Sequence, residues 1–332
     1  MDEIKYYLKT LNFMNDKILT DEKLNKLLEQ LIYNNMMFSR ETIIERNKEL
    51  DVALCPNSLI KIARIRQEAQ RDYNINGSII EHHDKKKKFK FDHVFNSENN
   101  KQIYYELISF IEMRLKFKKD VCFLFNGYSG SGKTYTLFGD NHNGLFNYII
   151  EYLQNEKYDI KALIYEIYNN EIYILDKDNK KIKNNDNIYK VENYININNE
   201  TINDSICNFR CTDINNVHDK SSRSHLIIEL KIYKNDILIN KISFFDLCGN
   251  EKYSDKSNKK ILDETIYINK SLFNVYEYIK AIQKGKKYNA NKCMLTNALK
   301  NYSNIIFSVL IGVTKAGNNA INLLNNISSI LN

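Results

Sequence analysis

The segment GYSGSGKT at residues 127–134 constrains the fold more than any other part of this sequence. It matches the pattern G-x-x-x-x-G-K-[ST] and follows the apolar run VCFLF, which predicts a buried strand. Glycines let backbone amides wrap around a phosphate, the lysine reaches the outer phosphates and the threonine hydroxyl ligates magnesium. A glycine-rich turn with a chance lysine would not need the strand before it and the helical pattern after it. The sequence therefore predicts a nucleoside triphosphate site formed by Gly127, Ser129, Gly130, Ser131, Gly132, Lys133 and Thr134.

Two later segments carry polar residues where a bound triphosphate needs them. KSSRSHLIIEL at 220–230 places a serine-rich cluster directly before a strand pattern, and FFDLCGNE at 244–251 ends an apolar strand in Asp246. An acid at that position faces a magnesium ion, and the amide of Gly249 three residues later senses a γ-phosphate. Each segment alone is common as a surface turn in unrelated proteins. Their order after the glycine loop favours a nucleotide switch over three chance matches.

The rest of the chain divides into two parts with different patterns. Residues 1 to about 54 are charged, with apolar residues at a helical spacing that never completes three heptads, and Pro56 is the natural boundary. From Leu59 onward strands and helices alternate: LIKIARIR, a hairpin through FKFDHVF, a helix near 101–116 and the strand at 121–125. We therefore predict a separate helical segment at 1–56. Residues 57–332 are predicted to form an α/β domain with a central, mostly parallel twisted sheet flanked by helices.

Composition and charge restrict the cellular compartment and the kind of partner that we expect for this protein. The formal net charge of +7 suits an acidic partner without distinguishing nucleic acid, a membrane surface and an acidic polymer. No run of about 18 apolar residues occurs in the sequence. The six cysteines are scattered, mostly within apolar runs. These observations predict a soluble intracellular protein with reduced, buried thiols and no membrane segment.

Taken together, the motifs resemble those of the kinesin motor domain. The glycine loop is similar to the family's GQTGSGKT, the serine cluster to its SSRSH switch and DLCGNE to its DLAGSE switch. ARIR at 63–66, FDHVF, YEIYNNEIYILD and INKSL at 268–272 match further family segments in order, so the resemblance covers roughly residues 57 to 330. It implies a P-loop ATPase with the kinesin motor fold that binds ATP and Mg²⁺. It also implies microtubules as the partner and the cytoplasmic cytoskeleton, including the spindle, as the location.

The resemblance implies a role for each residue around the base and phosphates of the nucleotide. Arg64 and Arg66 are expected to flank the adenine, and Tyr135 is expected to pack near the base. Lys133 is expected to hold the outer phosphates, and Thr134 to hold phosphate and magnesium.

The resemblance also implies how the two switches close on the γ-phosphate. Ser222, with Ser221 beside it, is expected to contact the γ-phosphate and the magnesium ion, which Asp246 faces. Arg223 and Glu251 are expected to form an ion pair that latches the switches and places the attacking water. The alternative for this pair is two solvated surface charges.

Several positions depart from the family pattern. Gln67 stands where the adenine segment has proline, and His218 stands where an asparagine is expected before the paired serines. Cys248 and Asn250 are small changes in the second switch that we expect to be tolerated. The segment NKCMLT at 291–296 replaces the family's Y-R-x-S-K-L-T, so two basic residues that normally face tubulin are absent or displaced. We therefore expect microtubule contact to be weakened or redistributed.

Lysines on both sides of INKSL are the predicted contact with the microtubule, because clustered positive charge attracts the acidic tubulin surface. They are Lys252, Lys256, Lys259, Lys260, Lys284, Lys286 and Lys287. The basic run in HHDKKKKFKF at 82–91 is instead assigned to a distal hairpin with solvated charges.

Chain order favours the C-terminal-motor, minus-end-directed kinesins. The helical segment precedes the motor, the sequence ends just after AINLLNNISSIL, and ERNKEL…LIKIARIR resembles their neck helix entering the first strand. The same segment is the predicted contact for a homodimer or heterodimer; no nucleic acid partner is expected.

Two alternatives stay open: a nucleotide-binding but weakly hydrolytic relative that acts as a binding or dimerisation partner, and an unrelated P-loop ATPase or GTPase. The lack of an N-K-x-D guanine-reading motif after the second switch argues against a GTPase.

Overall fold

The structure is a computed structural model that describes residues between 59 and 331, with several gaps. It describes residues 59–83, 86–96, 99–140, 142–175, 181–184, 194–197, 206, 223–249, 259–302, 304–312 and 319–331. The predicted helical segment 1–56 lies outside these residues.

Strands and helices alternate along the described residues, as the sequence predicted. The strands are β1 (Leu59–Ile65), β2 (Tyr73–Asn76), β3 (Ile79–His82), β4 (Lys88–Lys90), β5 (His93–Asn96), β6 (Val121–Gly127), β7 (Asp159–Tyr168), β8 (Glu171–Leu175), β9 (Lys181–Asn184), β10 (Ile195–Asn196), β11 (His225–Lys234), β12 (Ile237–Asp246) and β13 (Ile305–Ile311). The helices are α1 (Asn100–Lys116), α2 (Lys133–Phe138), α3 (Leu145–Asn155), α4 (Lys259–Gln283), α5 (Met294–Leu299) and α6 (Asn319–Leu331). Short 3₁₀ turns lie at Gln67–Asp72 and Ala290–Lys292.

A large sheet with the strand order β5-β1-β13-β6-β12-β11-β7-β8-β9 forms the centre, and β10 pairs with β7. The five strands from β5 to β12 are parallel, as predicted, whereas the strands from β11 to β9 pair antiparallel, so the sheet as a whole is mixed. The change occurs at the tight turn between β11 and β12. Asn235 and Asp236 in this turn have φ of 52° and 61°. Positive φ at both central residues matches the twist of an antiparallel hairpin.

The segment FKFDHVF does not form the predicted hairpin with itself. β4 pairs with β3 in a separate three-stranded sheet, whereas β5 runs parallel to β1 in the large sheet. Asp92 lies between β4 and β5, where the chain passes from the small sheet to the large one, and it is bonded to Lys61 of β1. Its side chain accepts from the Lys61 amide at 2.7 Å, and its own amide donates to the Lys61 carbonyl at 2.7 Å. An alternating pattern does not say which strand is the partner, so the sequence did not distinguish the two pairings. The hairpin predicted for 82–91 is confirmed by the β3–β4 pair.

The large sheet is covered on both faces by helices. Phe123 and Phe125 of β6 pack on the side of α1, α2 and α3, and Leu124 packs on the side of α4, α5 and α6. Burial of both faces explains why β6 is a continuous apolar run. No helix within the described ranges is both long and apolar enough to span a membrane.

Candidate functional site

The predicted phosphate loop connects β6 to α2 at the carboxyl end of the parallel strands. Gly127 has no room for a side chain, because a Cβ there would lie 2.4 Å from the Ser131 hydroxyl and 2.8 Å from the Leu310 carbonyl. Gly132 has φ of 98°, a left-handed conformation that favours glycine. Two of the motif glycines are therefore required by the backbone itself.

The Lys133 side chain is buried and lies within the loop. Its Nζ donates to the carbonyls of Gly127 and Tyr128, each at 2.9 Å. The ammonium group is thereby held against the loop backbone, where the sequence predicted the outer phosphates. Ser129 and Gly130 are exposed at the tip of the loop, and Ser131 is buried beneath it.

Thr134 and Asp246 lie side by side, although 112 residues separate them in the sequence. The Thr134 hydroxyl donates to Asp246 Oδ2 at 3.0 Å. Both residues reach this point because β12 runs parallel to β6, with Asp246 paired to Phe125. A hydroxyl and a carboxylate are hard oxygen ligands, the type that Mg²⁺ prefers, so this pair fits a magnesium ion.

The predicted base-binding residues form a contact group beside α2. The Arg64 guanidinium lies 5.2 Å from the centre of the Tyr135 ring and donates to Asn100 Oδ1 at 2.5 Å and Thr136 Oγ1 at 2.8 Å. Asn100 in turn donates to the Tyr135 carbonyl at 2.9 Å. The structure brings Arg64 and Tyr135 together, with the Arg64 guanidinium engaged by protein groups and the Tyr135 ring partly exposed.

Arg66 lies against the phosphate loop. Its guanidinium donates to the Gly130 carbonyl at 2.7 Å and pairs with the exposed Glu68 at 3.1 Å. Its amide donates to the Ile311 carbonyl at 2.9 Å, which ties this segment to β13. Arg66 therefore borders the loop at its tip.

Arg223 pairs with Glu264 on α4, a partner that the sequence analysis did not identify. The Arg223 guanidinium donates to Glu264 at 2.5 Å, and the Tyr168 hydroxyl donates to the other carboxylate oxygen at 2.5 Å. Burial, together with the bond to Glu264, raises the pKa of Tyr168 far above its usual value. Ser221, Ser222 and Glu251 lie outside the described residues, so the predicted pair of Arg223 with Glu251 stays a prediction.

A buried carboxylate of the large sheet binds the side chain of Ser224. Its hydroxyl donates to Glu166 of β7 at 2.9 Å, and Lys181 of β9 pairs with the other oxygen of Glu166 at 2.7 Å. Glu166 lies within YEIYNNEIYILD, but nothing in that pattern indicates a contact with the serine segment. The pairing of β7 with β11 brings Glu166 beside Ser224.

His225, the last residue of the serine segment SSRSH at 221–225, connects the two predicted switch segments to α4. Its Nε2 lies 2.9 Å from the hydroxyl of Ser271 within INKSL. Its Nδ1 accepts from the Cys248 amide at 3.2 Å, and Gly249 is buried directly after it. The family motifs SSRSH, DLCGNE and INKSL thus meet at one buried imidazole.

The outward side of α4 combines apolar and basic residues. Leu262, Ile266 and Phe273 are exposed there, and Lys259 and Lys270 are exposed among them. In the divergent segment after α4, Asn291 and Lys292 face solvent in a 3₁₀ turn that precedes α5. Lys284, Lys286 and Lys287 are also exposed.

A glycine loop at the carboxyl edge of parallel strands, with an acid from the neighbouring strand beside its threonine, places the chain in the class of P-loop nucleoside triphosphatases. A family model described as the kinesin motor domain matches residues 45–310. The chain belongs to the kinesin motor domain family.

Relatives of known sequence agree with this assignment. The chain is 25% identical over 283 residues to kinesin-like protein KIN-8B of Arabidopsis thaliana, which covers 74% of this chain and 33% of that protein. It is 29% identical over 224 residues to the protein claret segregational of Drosophila melanogaster, which covers 58% of this chain and 31% of that protein. The chain thus spans about a third of the length of these relatives.

A solved structure agrees on the fold. The motor domain of the Kar3-like kinesin from Ashbya gossypii superimposes with a TM-score of 0.64 at 22% identity, and the match covers 82% of this chain and 99% of that one. At this identity the likeness concerns the fold alone. The predicted kinesin motor fold is confirmed.

Proposed function

We propose that this domain is a microtubule-stimulated ATPase motor, which converts ATP hydrolysis into force or movement along microtubules. The observation that carries the proposal is the contact of Thr134 with Asp246 beside the buried Lys133. Phosphoryl transfer depends on positioning and on charge compensation, and these residues are of the type that supplies both. Membership of the kinesin family supports microtubules as the track.

ATP is the proposed nucleotide, and Mg²⁺ is the proposed metal ion. Lys133 would hold the outer phosphates, and Thr134, Ser222 and Asp246 would hold the metal. A bound magnesium ion supplies compensation for the charge that develops on the phosphate oxygens. The Gly249 amide, with Ser221 and Ser222, is proposed to contact the γ-phosphate.

Tyr135 is proposed to provide the apolar face for the base. The stacked Arg64 guanidinium and the Asn100 amide hold Tyr135 in place, so Arg64 acts largely through the tyrosine. Arg66, at the loop tip, is proposed to border the nucleotide from the other side.

The outward side of α4 is proposed to face the microtubule. Lys259 and Lys270 provide charge complementary to an acidic polymer, and Ile266 and Phe273 provide apolar area on the same side of the helix. Resemblance of residues 45–66 to the neck and first strand of C-terminal-motor kinesins supports minus-end-directed movement. The N-terminal segment is proposed to form a homodimer or heterodimer, and the cytoplasmic cytoskeleton is the proposed location.

A weakly hydrolytic microtubule-binding partner is the second candidate. The observation that favours it is the ion pair of Arg223 with Glu264, because this pair engages the arginine that the active latch requires. The two candidates differ in turnover and share nucleotide binding.

Steady-state ATPase activity with and without microtubules tests the proposal. We expect microtubules to raise turnover, and we expect Lys133→Ala to abolish tight ATP binding because a charge-assisted contact is lost. Lys90→Ala, at an exposed position of the small sheet, is the matched control and should leave both unchanged. Normal ATP binding and hydrolysis by Lys133→Ala would show the phosphate-loop assignment to be wrong. ATP binding without stimulated turnover would favour the second candidate.

A further inference from the structure

Buried residues of α4 contact the nucleotide site at three points, each through a side-chain hydrogen bond. Two of these contacts reach the serine segment, and the third reaches the residue directly before the phosphate loop. The pairs are Glu264 with Arg223, Ser271 with His225, and Tyr276 with Asn126.

The third contact joins residues 150 positions apart in the sequence. The Tyr276 hydroxyl donates to Asn126 Oδ1 at 3.0 Å, and Asn126 is completely buried. Among the described residues, the Asn126 side chain has no other hydrogen-bond partner, and its Nδ2 is buried without one. The Tyr276 hydroxyl therefore determines how this amide is held.

The tyrosine is itself held firmly. Its ring packs edge-on against Phe307 of β13, with 6.4 Å between ring centres. Phe307 lies beside Leu124 of β6 in the sheet register, so the aromatic support belongs to the strand next to the phosphate loop. The hydroxyl is thus presented to Asn126 by packing on the sheet.

Asn126 is in a position to move the loop backbone. It directly precedes Gly127, and the carbonyls of Gly127 and Tyr128 hold the Lys133 ammonium at 2.9 Å. The close packing around Gly127 leaves little space to absorb a shift of its neighbour. A change at Asn126 is therefore passed on to the groups that place Lys133.

We propose that the hydrogen bond from Tyr276 to Asn126 is a positioning contact through which α4 holds the phosphate loop. Tyr276 is then a positioning residue for nucleotide binding, on a route from α4 that bypasses the serine segment. This inference rests on the proposed function as a nucleotide-binding motor.

The test is Tyr276→Phe, which removes the hydroxyl and keeps the ring. Loss of one hydrogen bond that leaves a buried amide without a partner should raise the Kd for ATP by about 5-fold or more. Tyr278→Phe is the matched control, because Tyr278 lies on the same helix, is 7% exposed like Tyr276, and donates to the Leu299 carbonyl away from the loop. Both variants are expected to lower the melting temperature to a similar degree.

The comparison of Kd with melting temperature separates positioning from general stability. Weaker ATP binding by Tyr276→Phe alone supports the proposal, and equal ATP binding by both variants and the parent overturns it. In an Asn126→Leu background, Tyr276→Phe should have no further effect on the Kd, and a full additional effect would likewise overturn it. A parent protein that does not bind ATP would overturn the proposed function as well, whereas a parent that binds ATP and is insensitive to the tyrosine overturns this inference only.

Discussion

Arg223, the residue after the paired serines, donates to Glu264 of α4 at 2.5 Å, and the two side chains are only 10% and 7% exposed. The serine segment is thereby joined to the helix that carries INKSL. A buried ion pair holds its partners in place because leaving either charge without compensation is costly. The Arg223–Glu264 pair therefore links the proposed γ-phosphate switch to the proposed microtubule-facing helix.

Glu264→Gln is expected to reduce the free energy of unfolding by about 3 kcal/mol, because it leaves Arg223 buried beside a neutral amide. Urea denaturation of the purified domain measures this change. Asp263→Asn, at the exposed neighbouring position of α4, is the control and should change stability by less than about 0.5 kcal/mol. Equal stability of the two variants would contradict a structural role for the pair.

Glu251→Ala is expected to leave ATP binding nearly intact and to reduce microtubule-stimulated hydrolysis by at least ~10²-fold. An interaction formed mainly in the closed arrangement contributes to the transition state and little to ground-state binding. Measurement of the Kd for ATP together with kcat distinguishes the two effects. Parallel losses of binding and hydrolysis would indicate misfolding and not the loss of a latch.

Microtubule affinity is expected to fall as salt is added, because the proposed contact depends on exposed lysines. Replacing Lys256, Lys259 and Lys260 together by alanine should weaken binding more than replacing Lys85, Lys86, Lys87 and Lys88. Each exposed charge contributes on the order of 1 kcal/mol or less, so the triple change is needed. Cosedimentation over a salt series measures the effect. A larger loss of affinity from replacing the four distal lysines would contradict the proposed contact through the lysines around INKSL.

Phe273→Ser is expected to weaken microtubule binding by a factor that persists at high salt, since burial of apolar area is not screened. The Phe273 side chain is 61% exposed on α4, so the substitution should leave the melting temperature nearly unchanged. Ile237→Ser is the matched control, because Ile237 is also 61% exposed and lies at the turn of the β11–β12 hairpin. The same cosedimentation series measures both variants, and equal affinities would exclude an apolar contribution from Phe273.

Short-range patterns were sufficient to predict the strand and helices around the proposed phosphate site. The apolar run before GYSGSGKT predicted β6, and the helix predicted near 101–116 is α1. The same reasoning gave the wrong partner for FKFDHVF, and it did not indicate where the parallel strands change to antiparallel ones. Strand pairing depends on contacts far apart in the sequence, which an alternating pattern does not encode.

The sequence by itself determined the class of the protein and the types of residue at its proposed nucleotide site. The loop requires glycines, a lysine and a threonine at fixed spacing. These requirements are local, so the motif can be identified from the sequence alone. Only the tertiary structure decided which groups meet across the sheet: Thr134 with Asp246, Arg223 with Glu264, and Asn126 with Tyr276. Thr134 and Asp246 are brought together by the parallel pairing of β12 with β6, and the other two pairs by the packing of α4 on the sheet. Such contacts follow from the global fold, because no local pattern specifies a partner 41, 112 or 150 residues away.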